Sequence, residues 1–322
     1  MSFREIKGNS SSIDFLRHLF LSKRAAAVYL FYGPEGIGKR LIAHNLAKAI
    51  NCFKNNDFNP CDECPSCKKI DAGNQGDVFY ILPNALGSIG IDEIRILKER
   101  SFLKTSETKK KVFIIDDAEK FTTEAANACL KILEEPAPDC LIILISSKPK
   151  LILPTVLSRC YRIRFSPLNK EELERILIND FKLEQILAHY LAYFCEGRIG
   201  KAIRLSRQSD ILNQKNRIID EFFLAPPFYG NKEIKRDKLK EILEVLLGWF
   251  RDIYMFKSGI SVKELINIDR KQQIVGFAQH YSSAELEEII NFICETSLFL
   301  DKNINPKLLW SNLKIRIARN DF

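Results

Sequence analysis

Apolar positions in the first half of the chain gather into short runs: Val28 to Tyr32, Val78 to Leu82, Val112 to Ile115, Leu141 to Ile145 and Tyr161 to Phe165. Runs of this length, rich in β-branched and aromatic residues, predict strands, and strands separated by helical stretches predict a parallel sheet covered on both faces. Arg40 to Ile50 carries helical spacing after a glycine-rich segment. Thr122 to Leu133 opens on polar capping residues and stops before Pro136, which cannot continue a helix. The fold class expected is α/β.

After Ser166-Pro167 the strand pattern ends. Lys170 to Arg207 reads as a small helical unit, with interruptions expected at Gly197 and Gly200. Ala225 to Gly230 breaks the next helical region. Leu239 to Lys257 is then amphipathic through Ile242, Leu243, Val245, Leu246, Trp249, Phe250 and Ile253, Ala284 to Leu300 repeats the theme, and Pro306 opens or precedes a last helix. Three domains are expected: an α/β domain over 1–167, a small helical domain over 168–208 and an all-α domain over 209–322. The broad apolar faces of the last suit either a plain bundle with its own core or an assembly module.

Gly33-Pro34-Glu35-Gly36-Ile37-Gly38-Lys39-Arg40 lies between the first strand and the first helix of this pattern, where backbone N–H groups face a phosphate site. It follows the G-x-x-x-x-G-K form of a phosphate-binding loop through Lys39, then carries Arg40 in place of the serine or threonine that ligates magnesium. A guanidinium has no acceptor atom and cannot ligate a cation. The run Val112 to Glu119 has the form of a Walker B strand, with Asp116 at the magnesium-binding place. Asp117 stands where hydrolytic relatives carry a glutamate that polarises water, its carboxylate about one methylene, ~1.5 Å, further back. The alternative is that both acids cap the following turn or pair with Lys111 or Lys120.

Cys52, Cys61, Cys64 and Cys67 form C-x8-C-x2-C-x2-C in a loop-rich stretch. Four thiolates so spaced predict a closed tetrahedral shell holding structural zinc, with no position open for water. An iron-sulfur cluster also takes four cysteines, but no Cys-Pro or further cysteine follows Cys67. Lys68 and Lys69 would offset the charge of the site. The remaining cysteines, Cys129, Cys140, Cys160, Cys195 and Cys294, sit in apolar surroundings and read as buried thiols in a reducing compartment.

Composition adds limits. With 322 residues and 46% hydrophobic content the chain can bury a large core, its apolar runs are too short to span a membrane, and Met1 to Lys7 lacks a signal-peptide layout, so the expected location is the cytoplasm. A net charge of +8 is compatible with nucleic acid nearby and equally with an ordinary basic surface.

Taken together, Gly33 to Lys39, the four-cysteine insertion, Ile114 to Glu119, the run Ala125 to Pro136 ending Leu133-Glu134-Glu135-Pro136, Leu157-Ser158-Arg159-Cys160 and Asn303-Ile304-Asn305-Pro306 resemble the clamp-loader family of AAA+ proteins, that of the bacterial DNA polymerase III holoenzyme. The resemblance covers essentially the full length. It implies an AAA+ domain, a helical lid and a helical collar that holds a five-subunit ring, in which ATP at subunit interfaces drives loading of a sliding clamp onto primed DNA. It also implies tau/gamma and delta subunits as partners and assigns Arg159 as an arginine finger reaching a neighbour's ATP. Alone, Arg159 reads as a surface arginine. The tau/gamma motor branch keeps Gly-Lys-Thr or Gly-Lys-Ser and Asp-Glu, so Arg40 and Asp117 side with the delta-prime branch, a subunit without intrinsic ATPase that retains at most a bound ATP or ADP. The rival readings are a motor or self-sufficient ATPase, and a zinc-dependent DNA-binding protein.

Overall fold

The computed structural model of the protein describes residues 2–22, 26–54, 58–105, 108–224, 234–302 and 304–318. The expected break at Ala225 to Gly230 and the residue Asn303 lie outside them. Two compact units emerge, one formed by 1–168 with 198–201, the other by 169–197 with 202–322. The boundary expected near residue 208 falls inside the second unit.

The first unit runs α1 (Ser10–Leu21), β1 (Val28–Tyr32), α2 (Lys39–Asn51), α3 (Pro65–Asp71), β2 (Val78–Ile81), α4 (Ile91–Phe102), β3 (Lys111–Ile115), α5 (Thr123–Glu134), β4 (Cys140–Ser146), α6 (Pro154–Leu157) and β5 (Tyr161–Arg164). The five strands are all parallel, in the order β2-β3-β4-β1-β5. β4 is buried at every position, as its apolar run Cys140 to Ile145 requires, and ends in the buried Ser146. Alternate residues feed two cores: Tyr29, Phe31, Ile114 and Ile143 pack with Ile42 and Leu46 of α2 on one face, while Leu30, Phe113 and Ile142 pack with Leu97 of α4 and Cys129 of α5 on the other. Burying each of the larger side chains is worth about 1.5–3 kcal/mol. Thr122 caps α5, its hydroxyl accepting from the Ala125 N–H.

The second unit is helical: α7 (Lys170–Asn179), α8 (Gln185–Phe194), α9 (Ile199–Ser206), which it shares with the first unit, then α10 (Ile211–Leu224), α11 (Arg236–Lys257), α12 (Lys271–His280), α13 (Ser283–Asp301) and α14 (Pro306–Ala318). Gly197, at φ 77°, does separate α8 from α9. Gly200 does not interrupt: it lies within α9, and its N–H donates to the carbonyl of Gly36 at 2.7 Å, an approach that any Cβ would obstruct. All seven apolar residues named on α11 are buried in the unit's own core, beside Leu286, Ile293 and Leu313. Cys294 corrects the expectation of buried thiols: it is exposed on α13, off the side that buries Leu286, Ile289 and Ile293, and Cys160 is only half-buried. No described helix is long and apolar enough to cross a membrane.

Candidate nucleotide and metal sites

The glycine loop turns from β1 into α2 with Gly33, Gly36 and Gly38 all at positive φ, a backbone path that side chains resist. At Gly33 the reason is also steric, since a Cβ would lie 2.2 Å from the Phe165 carbonyl oxygen. Lys39 is buried, and its ammonium donates to the carbonyls of Gly33 and Pro34, both at 2.7 Å. Burial pulls its pKa down, against the attraction of Glu119, Asp116, Glu35 and Asp117. The lysine thus closes on its own loop.

Arg40 meets the Walker B acid directly. Its Nη1 lies 3.5 Å from Asp116 Oδ2, and its guanidinium covers the Tyr80 ring at 5.4 Å. A cation of the chain itself therefore lies beside Asp116. Burial, then the charge of Asp117, raise the Asp116 pKa, while Arg40 and Lys39 oppose the rise. Asp117 is turned away by its left-handed backbone (φ 54°, ψ 48°), and its Oδ2 pairs with Lys120 Nζ at 2.8 Å. That is the alternative the sequence left open for Asp117. Lys111 instead donates to the carbonyls of Arg100 and Leu103.

Glu119 was not singled out, although the acid-rich end of the strand carried the signal. Its Oε1 accepts from the N–H and hydroxyl of Ser147 and from the Lys148 N–H, at 3.1, 2.6 and 3.2 Å. These bonds join the end of β4 to the turn after β3. Burial raises its pKa, but the hydroxyls of Ser147 and Ser146 and nearby N–H groups outweigh that and hold it down.

The four cysteines converge. The sulfurs of Cys52, Cys61, Cys64 and Cys67 all lie within 4.8 Å of one another, and Cys52 and Cys64 sulfurs are 4.0 Å apart. A tetrahedral zinc shell with arms of about 2.3 Å has edges of roughly 3.8 Å, so donors and spacing suit that ion. Backbone N–H groups of Cys61 and Cys64 point at the sulfurs of Cys52 and Cys61, at 3.4 and 3.3 Å, as thiolate acceptors require. Lys68 and Lys69 are exposed. The buried cation beside the module is one the sequence did not reveal, Lys48, whose side chain is 0% exposed and whose Nζ lies 2.5 Å from Asp62 and 2.8 Å from Asp71.

Arg40, His44, Lys48 and Cys52 are spaced four apart and share one face along α2. His44 Nδ1 lies 2.5 Å from the Tyr80 hydroxyl and its Nε2 2.8 Å from Asp71, so the ring bridges the two. A polar seam therefore runs from the Walker B acid, by Arg40, Tyr80, His44, Asp71 and Lys48, to the cysteine module.

Arg159 lies apart from all of this. It follows α6, whose Pro154 and Val156 carbonyls accept from Ser158 and Arg159 N–H, and Cys160 anchors the segment by donating its thiol to the Val156 carbonyl at 3.2 Å. The guanidinium donates to Glu134, to the Thr155 carbonyl at 2.7 Å and to the Ser158 hydroxyl at 3.3 Å. None of these partners belongs to the chain's own glycine loop or Walker B strand.

A parallel five-stranded sheet, a glycine loop opening onto a helix and an acidic strand end beside it define a P-loop protein of AAA+ type. A solved DNA polymerase III gamma subunit-related protein of Thermotoga maritima shares the fold, with TM-score 0.50 and 20% identity over 96% of this chain and 99% of that one. Family models described as "DNA polymerase III, delta subunit" and its C-terminal part match residues 8–169 and 227–318. The Bacillus subtilis DNA polymerase III subunit delta' is 31% identical over 91% of both chains, and the Pseudomonas aeruginosa subunit delta' is 39% identical over 42% of each. The B. subtilis tau subunit is 25% identical over 98% of this chain, which spans 61% of that protein. The chain belongs to the DNA polymerase III delta-prime subunit family, within the clamp loaders.

Proposed function

We propose that this subunit does not hydrolyse ATP and that it supplies Arg159 in trans to the ATP held by a neighbouring tau/gamma-type subunit, within a ring completed by delta that loads a sliding clamp onto primed DNA. The observation that carries the reading is the double neutralisation of the chain's own site: Arg40 covers Asp116, and Lys120 holds Asp117. Lys39, folded onto the loop carbonyls, adds to the same reading. Arg159 is the complementary half, a guanidinium on a fixed platform away from its own loop, the group that stabilises charge on a phosphoryl in flight. The division into an AAA+ domain, a lid over 168–208 and a collar over 209–322 belongs to the same reading, as does zinc as the staple of the cysteine module.

The test is an Arg159→Ala subunit in the reconstituted loader with clamp and primed DNA. Ring assembly should persist while clamp-stimulated ATPase falls by at least about tenfold, a loss well inside the ~10³–10⁵ that an arginine finger can supply. Magnesium-dependent turnover by the isolated subunit, abolished by Lys39→Ala, would reverse the proposal in favour of a self-sufficient ATPase.

A further inference from the structure

We infer that Glu134 is a latch for Arg159: it holds the guanidinium stowed against α5 and competes with the neighbour's phosphate for it. This rests on Arg159 acting in trans. Four of the five N–H donors of a guanidinium are already engaged here, Nε and one Nη2 hydrogen on Glu134 Oε1, the two Nη1 hydrogens on the Thr155 carbonyl and the Ser158 hydroxyl. Forked recognition of a phosphate needs two donors on one edge. The Nε–Nη2 edge, the one suited to it, is the edge that Glu134 covers.

The surroundings make the side chain the moving part. Cys160 holds the backbone through its bond to Val156, Val156 is fully buried, and Ser158 bonds back to the Thr155 carbonyl at 3.0 Å. Glu134 is the last residue of α5, two before Pro136, so its position is set by the helix end. It is half exposed, with side-chain exposure 49% against 29% for Arg159. An ion pair so placed is weak enough to exchange partners: incoming phosphate brings more negative charge than one carboxylate, and the freed Glu134 passes into water without a desolvation cost.

The experiment compares Glu134→Gln, Arg159→Ala and the double variant in the reconstituted loader, titrating ATP with clamp and primed DNA present. The glutamine keeps size and an acceptor oxygen but loses the charge that retains the guanidinium. Half-saturation for ATP should fall about threefold, the release of a partly exposed pair, with no fall in maximal rate, and the double variant should match Arg159→Ala. A reduced maximal rate in Glu134→Gln overturns the latch, because Glu134 would then be orienting the finger. An unchanged half-saturation overturns it too. If Arg159→Ala itself runs at the parent rate, the trans reading fails and the latch with it, whereas a defective Arg159→Ala beside an inert Glu134→Gln removes the latch alone.

Discussion

Arg40 Nη1 lies 3.5 Å from Asp116 Oδ2, a cation from the chain itself beside the acid of the Walker B strand. Replacing Arg40 with threonine restores a metal-ligating hydroxyl and removes the competing charge. Nucleotide binding to Arg40→Thr should become magnesium-dependent, tighter than in chelator by on the order of tenfold, read by calorimetry. Hydrolysis should stay absent, because Lys120 still holds Asp117. With Arg40 gone, the already raised Asp116 pKa rises further, so the gain grows as pH climbs through that range and fades below it.

Lys48 is fully buried, and it balances the two carboxylates of Asp62 and Asp71 beside the cysteine module. Lys48→Met keeps the buried stem but takes the ammonium away from Asp62 and Asp71. Both acids are partly exposed, so the expected loss is about 1–3 kcal/mol rather than that of a fully buried pair broken on one side. Urea unfolding at saturating zinc measures it. An unchanged midpoint would mean that the pair contributes nothing to stability.

Much of this was legible in the pattern of residues, and the failures have physical causes. All five strands stand within a residue or two of their predicted limits, because continuous β-branched runs have no other stable use. The glycine loop, the acidic strand and the four cysteines declared themselves through fixed spacing. Hidden were the local fold of Lys39 onto its own loop and the relationships made by side chains remote in sequence, Glu134 on Arg159 and Lys48 on the cysteine module. Lys68 and Lys69 were nearer the cysteines in sequence, but α3 turns them outward, and a lysine thirteen residues before Cys61 takes the place. Gly200 failed as a helix breaker because its lack of a side chain serves a close approach to Gly36 and not a turn.

Thiol chemistry offers a test of the metal module. Cys129, Cys140 and Cys160 are pushed up to about 12, 11 and 12 by burial, and Cys195 is buried. In the zinc-loaded native protein only Cys294 should react rapidly with an aromatic disulfide reagent. After chelation the four module cysteines should join it, a change from one fast thiol to five, with release of one zinc per chain. Fast reaction at the module without chelation would argue against a bound metal.

The second unit carries a pair with a pH signature. Arg270 grips both oxygens of Asp220, at 2.6 and 2.7 Å, and holds that carboxyl below its ordinary range. A depressed folded pKa means stability present above about pH 4 and lost as pH falls through the folded value. Asp220→Asn should therefore cost about 1 kcal/mol near neutrality, for a bidentate but exposed pair. The gap from the parent should narrow in acid, as measured by denaturant unfolding across pH.

The four-residue spacing of Arg40, His44, Lys48 and Cys52 makes α2 a gauge. One residue inserted between His44 and Lys48 would rotate the far half of the helix by about 100°, carrying Lys48 off Asp71 and swinging Cys52 out of the cysteine cluster while the loop stayed in place. The separation of phosphate loop and first cysteine can thus change only by near-whole turns, which couples helix length in this subunit to the survival of its four-cysteine cluster.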